Sequence, residues 1–189
     1  MLRVATRRTL PSFGAASARC MAHVPIDDRL FGLDDETQQL RHMSRTFFEA
    51  ELGPHARQID ADDAFPGFRD FMIKCGEMGF HGMTVPVEYG GTDMGYLKAT
   101  IMAEEGGRVA AGVTMSMGAH QNLCINQLVR NASTEQKEKW LPDLLEGTKI
   151  GGLAMSETEA GSDVMSMKTV AVKKGDHYII NGSKVILCH

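Results

Sequence analysis

At Gly147 the apolar pattern of this chain changes period, and that change constrains the fold more than any other feature of the 189 residues. Between Leu33 and Gly147 apolar residues recur at helical spacing. Asp34 or Asp35 can cap a first helix, with Leu40, Met43, Phe47 and Leu52 on one face before Gly53-Pro54 interrupts it. Phe68, Phe71, Met72, Cys75 and Met78 mark another helix, and Gly79 is placed to end it. Val85-Pro86 and Tyr89-Gly90-Gly91 mark a loop. Apolar-periodic segments follow at about Tyr96 to Glu105 and Gly112 to Val129. Ser133 and Gln136 have the spacing of a capping box, opening a last helix that is expected to bury Trp140, Leu144 and Leu145.

After Gly147 the runs are short and β-like: Ile150 to Met155, Thr169 to Val172, Tyr178 to Ile180 and Val185 to Leu187. Lys174-Gly175-Asp176 and Asn181-Gly182 separate them, and Asn-Gly is the strongest two-residue hairpin signal. The expected organisation is a helical domain over 33–148 and the start of a β domain over 149–189. About 40 residues of β structure leave open edges, so those strands either lean on the helices or lack their natural continuation.

The first residues differ in kind. Met1 to Ile26 carries Arg3, Arg7, Arg8 and Arg19 with Ser12 and Ser17, and no acid before Asp27. That is the composition of a mitochondrial transit peptide, expected over 1–26, with the matrix as destination. No stretch reaches the roughly 20 apolar residues of a membrane span. A net charge of −4 with scattered lysines gives no footprint for nucleic acid. The histidines form no HExxH pair, so a catalytic zinc has no support. Cys20, Cys75, Cys124 and Cys188 show no CxxC spacing and read as free thiols. Thirteen methionines are numerous; Met115, Met117, Met155, Met165 and Met167 are either adaptable core filler or the lining of an acyl pocket.

Chemistry concentrates in Leu153, Ala154, Met155, Ser156, Glu157, Thr158, Glu159, Ala160, Gly161 and Ser162, followed by Asp163. This segment leaves an apolar strand and enters a loop of small and hydroxyl residues. Small side chains let backbone N–H groups approach a flat ring, and Ser156 and Ser162 offer hydroxyl donors to a flavin carbonyl or a pyrophosphate oxygen. On the residues alone, the plainer account is a polar connection between strands.

Leu153 to Val164 resembles the signature of the acyl-CoA dehydrogenases, in which that strand and loop run along the flavin. Val85-Pro86-Val87-Glu88-Tyr89 followed by Gly90 to Tyr96 is similar to a second marker of the family. Gly118 to Asn131 closely resembles the branch acting on isovaleryl-CoA, an intermediate of leucine breakdown. The likeness runs from about Leu30 to Lys184.

The resemblance implies a helical domain, a β-barrel-like domain and a second helical domain, assembled as a homotetramer. It implies FAD as cofactor, an acyl-CoA as substrate and electron-transfer flavoprotein as electron acceptor. A glutamate takes the α proton while a hydride leaves Cβ for the flavin. Carried over, Leu153 to Ser162 contact FAD, and Ser162 also lies near the CoA moiety. Thr158 stands where proline is common and is expected to loosen the turn slightly. His120 reads as a packed helix histidine without a catalytic role. After Asn181-Gly182-Ser183-Lys184 the family continues with an apolar residue and Trp-Ile-Thr, whereas this chain reads Val185 to His189. The expectation is an N-terminal portion whose catalytic glutamate lies beyond His189, inactive by itself. The alternative is a non-catalytic form that binds full-length subunits.

Overall fold

A computed structural model describes residues 32–185 and 187–188. The expected transit peptide lies outside the described residues. Helices come first: α1 (Asp35–Glu51), α2 (Ala56–Asp62), α3 (Phe68–Glu77), α4 (Gly95–Gly118), a π-helical stretch (Ala119–Ile125), α5 (Asn126–Asn131) and α6 (Thr134–Leu145). Four short strands follow: β1 (Leu153–Ala154), β2 (Val170–Lys174), β3 (His177–Asn181) and β4 (Leu187–Cys188). The architecture is therefore helical with a small antiparallel β portion after it. No described helix is long and apolar enough to cross a membrane.

The core of the helical part is aromatic and sulfur-rich. Phe48, Leu52, Phe71, Met72, Cys75, Phe80, Met102 and Met117 are buried together. Phe48 stacks on Phe80 with ring centroids 5.6 Å apart, and Phe47 meets both edge-on at 5.3 Å. Each large side chain buried there contributes roughly 1.5–3 kcal/mol.

The expected face of α1 is rotated in the structure. Leu40 and Phe48 are buried with Thr37, Arg41 and Ser44, while Met43 lies outside. The cause is a charged seam between α1 and α4. The Glu105 carboxylate accepts from Arg41 Nη1 at 2.9 Å and from Arg45 Nε and Nη2 at 2.9 and 3.1 Å. Arg41 Nη1 also donates to Glu104 at 2.8 Å. A buried carboxylate needs such partners, and they draw Arg41 inward at a position that apolar periodicity assigns to solvent.

Of the two apolar segments expected after Tyr96, the first lies in α4 and the second starts in α4 and continues through the π-helical stretch into α5; α4 itself is broken at Ala110, where φ is −150° and ψ is 88°. The last helix opens as expected. Ser133 Oγ accepts from the Gln136 amide at 3.3 Å, and Gln136 Oε1 accepts from the Ser133 amide at 3.0 Å. Its buried residues are Leu141 and Leu144; Trp140, expected inside, is 40% exposed. Lys139 Nζ and Lys149 Nζ lie 4.8 and 5.1 Å from the centroid of the Trp140 ring, and these cation–π contacts favour its place at the surface. Gly147 ends the helical part with φ of +76°, and a Cβ there would fall 2.3 Å from the Met72 carbonyl oxygen.

In the β portion, β2 and β3 form an antiparallel hairpin in which Lys174 pairs with His177 and Val170 with Asn181. The two-residue turn is Gly175-Asp176, with Gly175 at φ of +65°. Asn181-Gly182 does not turn, because β3 already has its partner in β2. Neither residue takes the positive φ that a type I′ turn requires. β4 pairs instead with β1, Leu153 opposite Cys188 and Ala154 opposite Leu187.

Candidate functional site

The segment Leu153–Ser162 starts in β1 and leaves it as an open loop, as the sequence implies. Glu157 and Ala160 close a tight turn, the Glu157 amide donating to the Ala160 carbonyl at 3.0 Å and the Ala160 amide returning 3.1 Å to the Glu157 carbonyl. Thr158 occupies that turn without a proline. Ala160 is buried beneath it, Ser156 is half-buried, and Ala154, Met155, Thr158, Glu159, Gly161 and Ser162 are exposed. A Cβ placed on Gly161 would meet open space. Among the described residues nothing accepts from the Gly161 or Ser162 amide. The loop therefore presents small residues and available donors to its outer side.

What fixes the loop is Glu157. Its carboxylate accepts from the Lys168 amide at 2.7 Å, the Thr169 amide at 3.1 Å and Lys184 Nζ at 2.9 Å. Hydrogen bonding from Thr169, from the Lys168 amide and from Lys184 pushes the Glu157 carboxyl down to about 2. Lys184 Nζ also donates to the Met155 carbonyl at 3.0 Å, and the Val185 amide donates to the Ser156 carbonyl at 3.0 Å. The beginning of β2 and the exit from β3 are thus tied to one side of the loop. Sequence reasoning assigned Glu157 to the flavin-facing motif and gave Lys184 no role. Only the acid-base pairing of two residues 27 apart could have revealed it.

The histidine of the 118–131 motif is structural, as expected. His120 is fully buried, its Nε2 2.9 Å from the Leu144 carbonyl oxygen and its Nδ1 accepting from the Gly151 amide at 3.0 Å. Neighbouring Gln121 donates to the Phe80 carbonyl at 2.8 Å. His81, edge-on to His120 at 4.6 Å, lies 2.8 Å through Nε2 from the Met72 carbonyl oxygen. Burial, with His120 beside it, pushes His81 down to about 4 despite its bond to Met72. Cys75 and Cys124 are free thiols.

The methionines divide. Met117 is core, whereas Met115, Met155, Met165 and Met167 are exposed. Two cavities lie elsewhere. A groove of about 870 Å³ runs between α2, the start of α3 and the break in α4, with Phe65, Phe68, Arg69 and Val109 in its walls. A smaller one of about 370 Å³ lies among Gly76, Gly79, Gly82, Gly90 and Leu145. Neither is lined by Leu153–Ser162.

Residues 34–148 match the sequence profile of the acyl-CoA dehydrogenase N-terminal domain. This chain belongs to the acyl-CoA dehydrogenase family. It is 49% identical over 183 residues to mitochondrial isovaleryl-CoA dehydrogenase of Pongo abelii, covering 96% of this chain and 43% of that protein. The acyl-CoA dehydrogenase of Bacillus anthracis, solved in complex with FAD, superimposes with a TM-score of 0.76 at 29% identity, over 82% of this chain and 26% of that one. A glutaryl-CoA dehydrogenase solved with glutaryl-CoA gives a TM-score of 0.76 at 35% identity, over 82% of this chain and 40% of that one. This acyl-CoA dehydrogenase chain thus spans less than half the length of these relatives.

Proposed function

We propose that Leu153–Ser162 forms one wall of an FAD site in an enzyme that oxidises a short branched acyl-CoA, isovaleryl-CoA in particular, between Cα and Cβ. The observation that carries this reading is the loop itself: small, open on its outer side, and anchored from behind through Glu157. The residues fit the group. Ser156 and Ser162 supply hydroxyls, Gly161 leaves room for close approach, and the Gly161 and Ser162 amides are available to donate. Ser162 also stands on the CoA side of the site. The chemistry that bound FAD supplies is acceptance of a hydride from Cβ.

The residues described do not supply the base that removes the α proton. Glu157, held to about 2, is a weak base near neutral pH and is occupied by Lys184, Lys168 and Thr169. Glu159 pairs with Lys168. We infer that residues 33–148 act as the helical domain and 149–189 as part of the β domain of a tetrameric enzyme. That enzyme works in the mitochondrial matrix, passes electrons to electron-transfer flavoprotein and takes its base from elsewhere. On this reading the 189 residues bind FAD weakly and do not turn over acyl-CoA alone. A second reading, association with full-length subunits, draws on the β2–β3 hairpin. Val170, Val172 and Ile179 on one of its faces and Tyr178 and Ile180 on the other are exposed, and a two-stranded hairpin apolar on both faces needs cover.

Quenching of FAD fluorescence by the purified chain tests the main reading. Gly161→Val should abolish binding without moving the thermal midpoint, since a Cβ there meets nothing in the protein. Unchanged binding in that variant would place the flavin elsewhere.

A further inference from the structure

The proposed flavin wall is carried by a two-residue strand, and such a strand does not fix its own position. Two groups on the π-helical turn meet the chain just before it. His120 Nδ1 accepts from the Gly151 amide at 3.0 Å. Cys124, four residues on, packs so closely against Gly151 that a Cβ there would fall 2.2 Å from its sulfur. The same imidazole is held on its far side by the Leu144 carbonyl, one residue before the end of α6, at 2.9 Å. Gln121 is buried and tied to the Phe80 carbonyl at 2.8 Å, which fixes the π-helical turn to the helical core. Such π-turns are rare within helices and frequently mark functional sites.

We propose that His120 is a positioning residue, seating Gly151, and through it β1 and the Leu153–Ser162 wall, at a fixed offset from the helical part. The inference rests on the flavin reading for its functional meaning. Its physical basis is a buried ring with a donor satisfied at one end and an acceptor at the other. With Nε2 donating to a carbonyl, Nδ1 must be the unprotonated nitrogen, and only that tautomer can receive the Gly151 amide. Loss of the Nδ1 bond frees Gly151 and with it the entry to β1, whereas loss of the Nε2 bond to Leu144 leaves Gly151 held.

The test separates the two ends of the ring. Asparagine places an oxygen near the Nδ1 position, and glutamine places an amide near the Nε2 position. His120→Asn should keep amide exchange at Gly151 to Ser156 within about twofold of wild type, even with a lowered thermal midpoint. His120→Gln should accelerate that exchange about five- to tenfold beyond its effect on the rest of the chain, the loss of one hydrogen bond. In the wild-type chain the His120 Nδ1 nitrogen resonance should report an unprotonated acceptor. A protonated Nδ1, or equal acceleration in both variants in step with global stability, would overturn the inference and leave His120 a packing residue. Added FAD should slow exchange at Leu153 to Ser162 in wild type and less so in His120→Gln. No slowing in wild type would sink the flavin reading alone, while the Gly151 comparison would still decide whether His120 seats β1.

Discussion

Lys184 Nζ lies 2.9 Å from Glu157 Oε1, so the exit of β3 is bonded to the loop that leaves β1. That ion pair, with the Lys168 and Thr169 amides on the same carboxylate, holds the back of the loop while its front stays open. Glu157→Gln keeps the shape and removes the charge. Amide exchange between Met155 and Ala160 should rise about fivefold, in proportion to a weakened charge-assisted hydrogen bond. FAD affinity should fall with it, while the melting of α1 to α6 stays unchanged. Exchange mass spectrometry and helical circular dichroism on the same sample check both halves.

Glu105 is the residue on which the α1–α4 seam turns. It is 1% exposed and receives Arg41 and Arg45. Burial opposes its charge, but hydrogen bonds from Arg45 and Arg41 outweigh that and hold its carboxyl below the usual range. Glu105→Ala removes the buried carboxylate that receives Arg41 and Arg45 and should destabilise the helical part by about 3 kcal/mol. Glu104→Ala, whose carboxylate is half exposed, should cost under about 1 kcal/mol. Denaturant midpoints of the two variants give the comparison.

His81, with His120 beside it lowered in the same direction by burial, makes the stability of the helical part depend on pH near neutrality. Burial and the adjacent His120 lower its folded value to about 4 from an ordinary value near 6.5. The unfolded chain therefore binds the proton first as pH falls. Stability is fully present above about pH 6.5 and declines towards pH 4, by on the order of 2 kcal/mol. His81→Gln should flatten that decline; chemical denaturation at a series of pH values measures it.

These residues also show what a sequence can and cannot disclose. The Ser133–Gln136 capping box and the Gly79 stop were legible because each is written within a few residues of where it acts. The face of α1 was not, since Arg41 turns inward towards Glu105, 64 residues away. Trp140 read as core because its spacing is helical; the lysines that favour its place at the surface come from α6 and from Lys149 beyond it. The separator at Lys174-Gly175-Asp176 does hold the β2–β3 turn, but Asn181-Gly182 makes no hairpin, because a turn signal says nothing of which strand is already paired. In the candidate site, the small residues of Leu153–Ser162 were visible as a motif. Their anchoring by Lys184 and the seating of Gly151 by His120 were not, because both are long-range bonds.

The central claim is that Leu153–Ser162 faces the flavin, and amide chemical shifts of the isotopically labelled chain test it most directly. With FAD added to about 1 mM, enough to populate a site of millimolar affinity, the largest shifts should fall on Leu153, Ala154, Ser156, Gly161 and Ser162. His42 and Lys74, on the helices, should not move. Shifts confined to the walls of the α2–α3–α4 groove, around Phe65, Arg69 and Val109, with none between Leu153 and Ser162, would contradict the account.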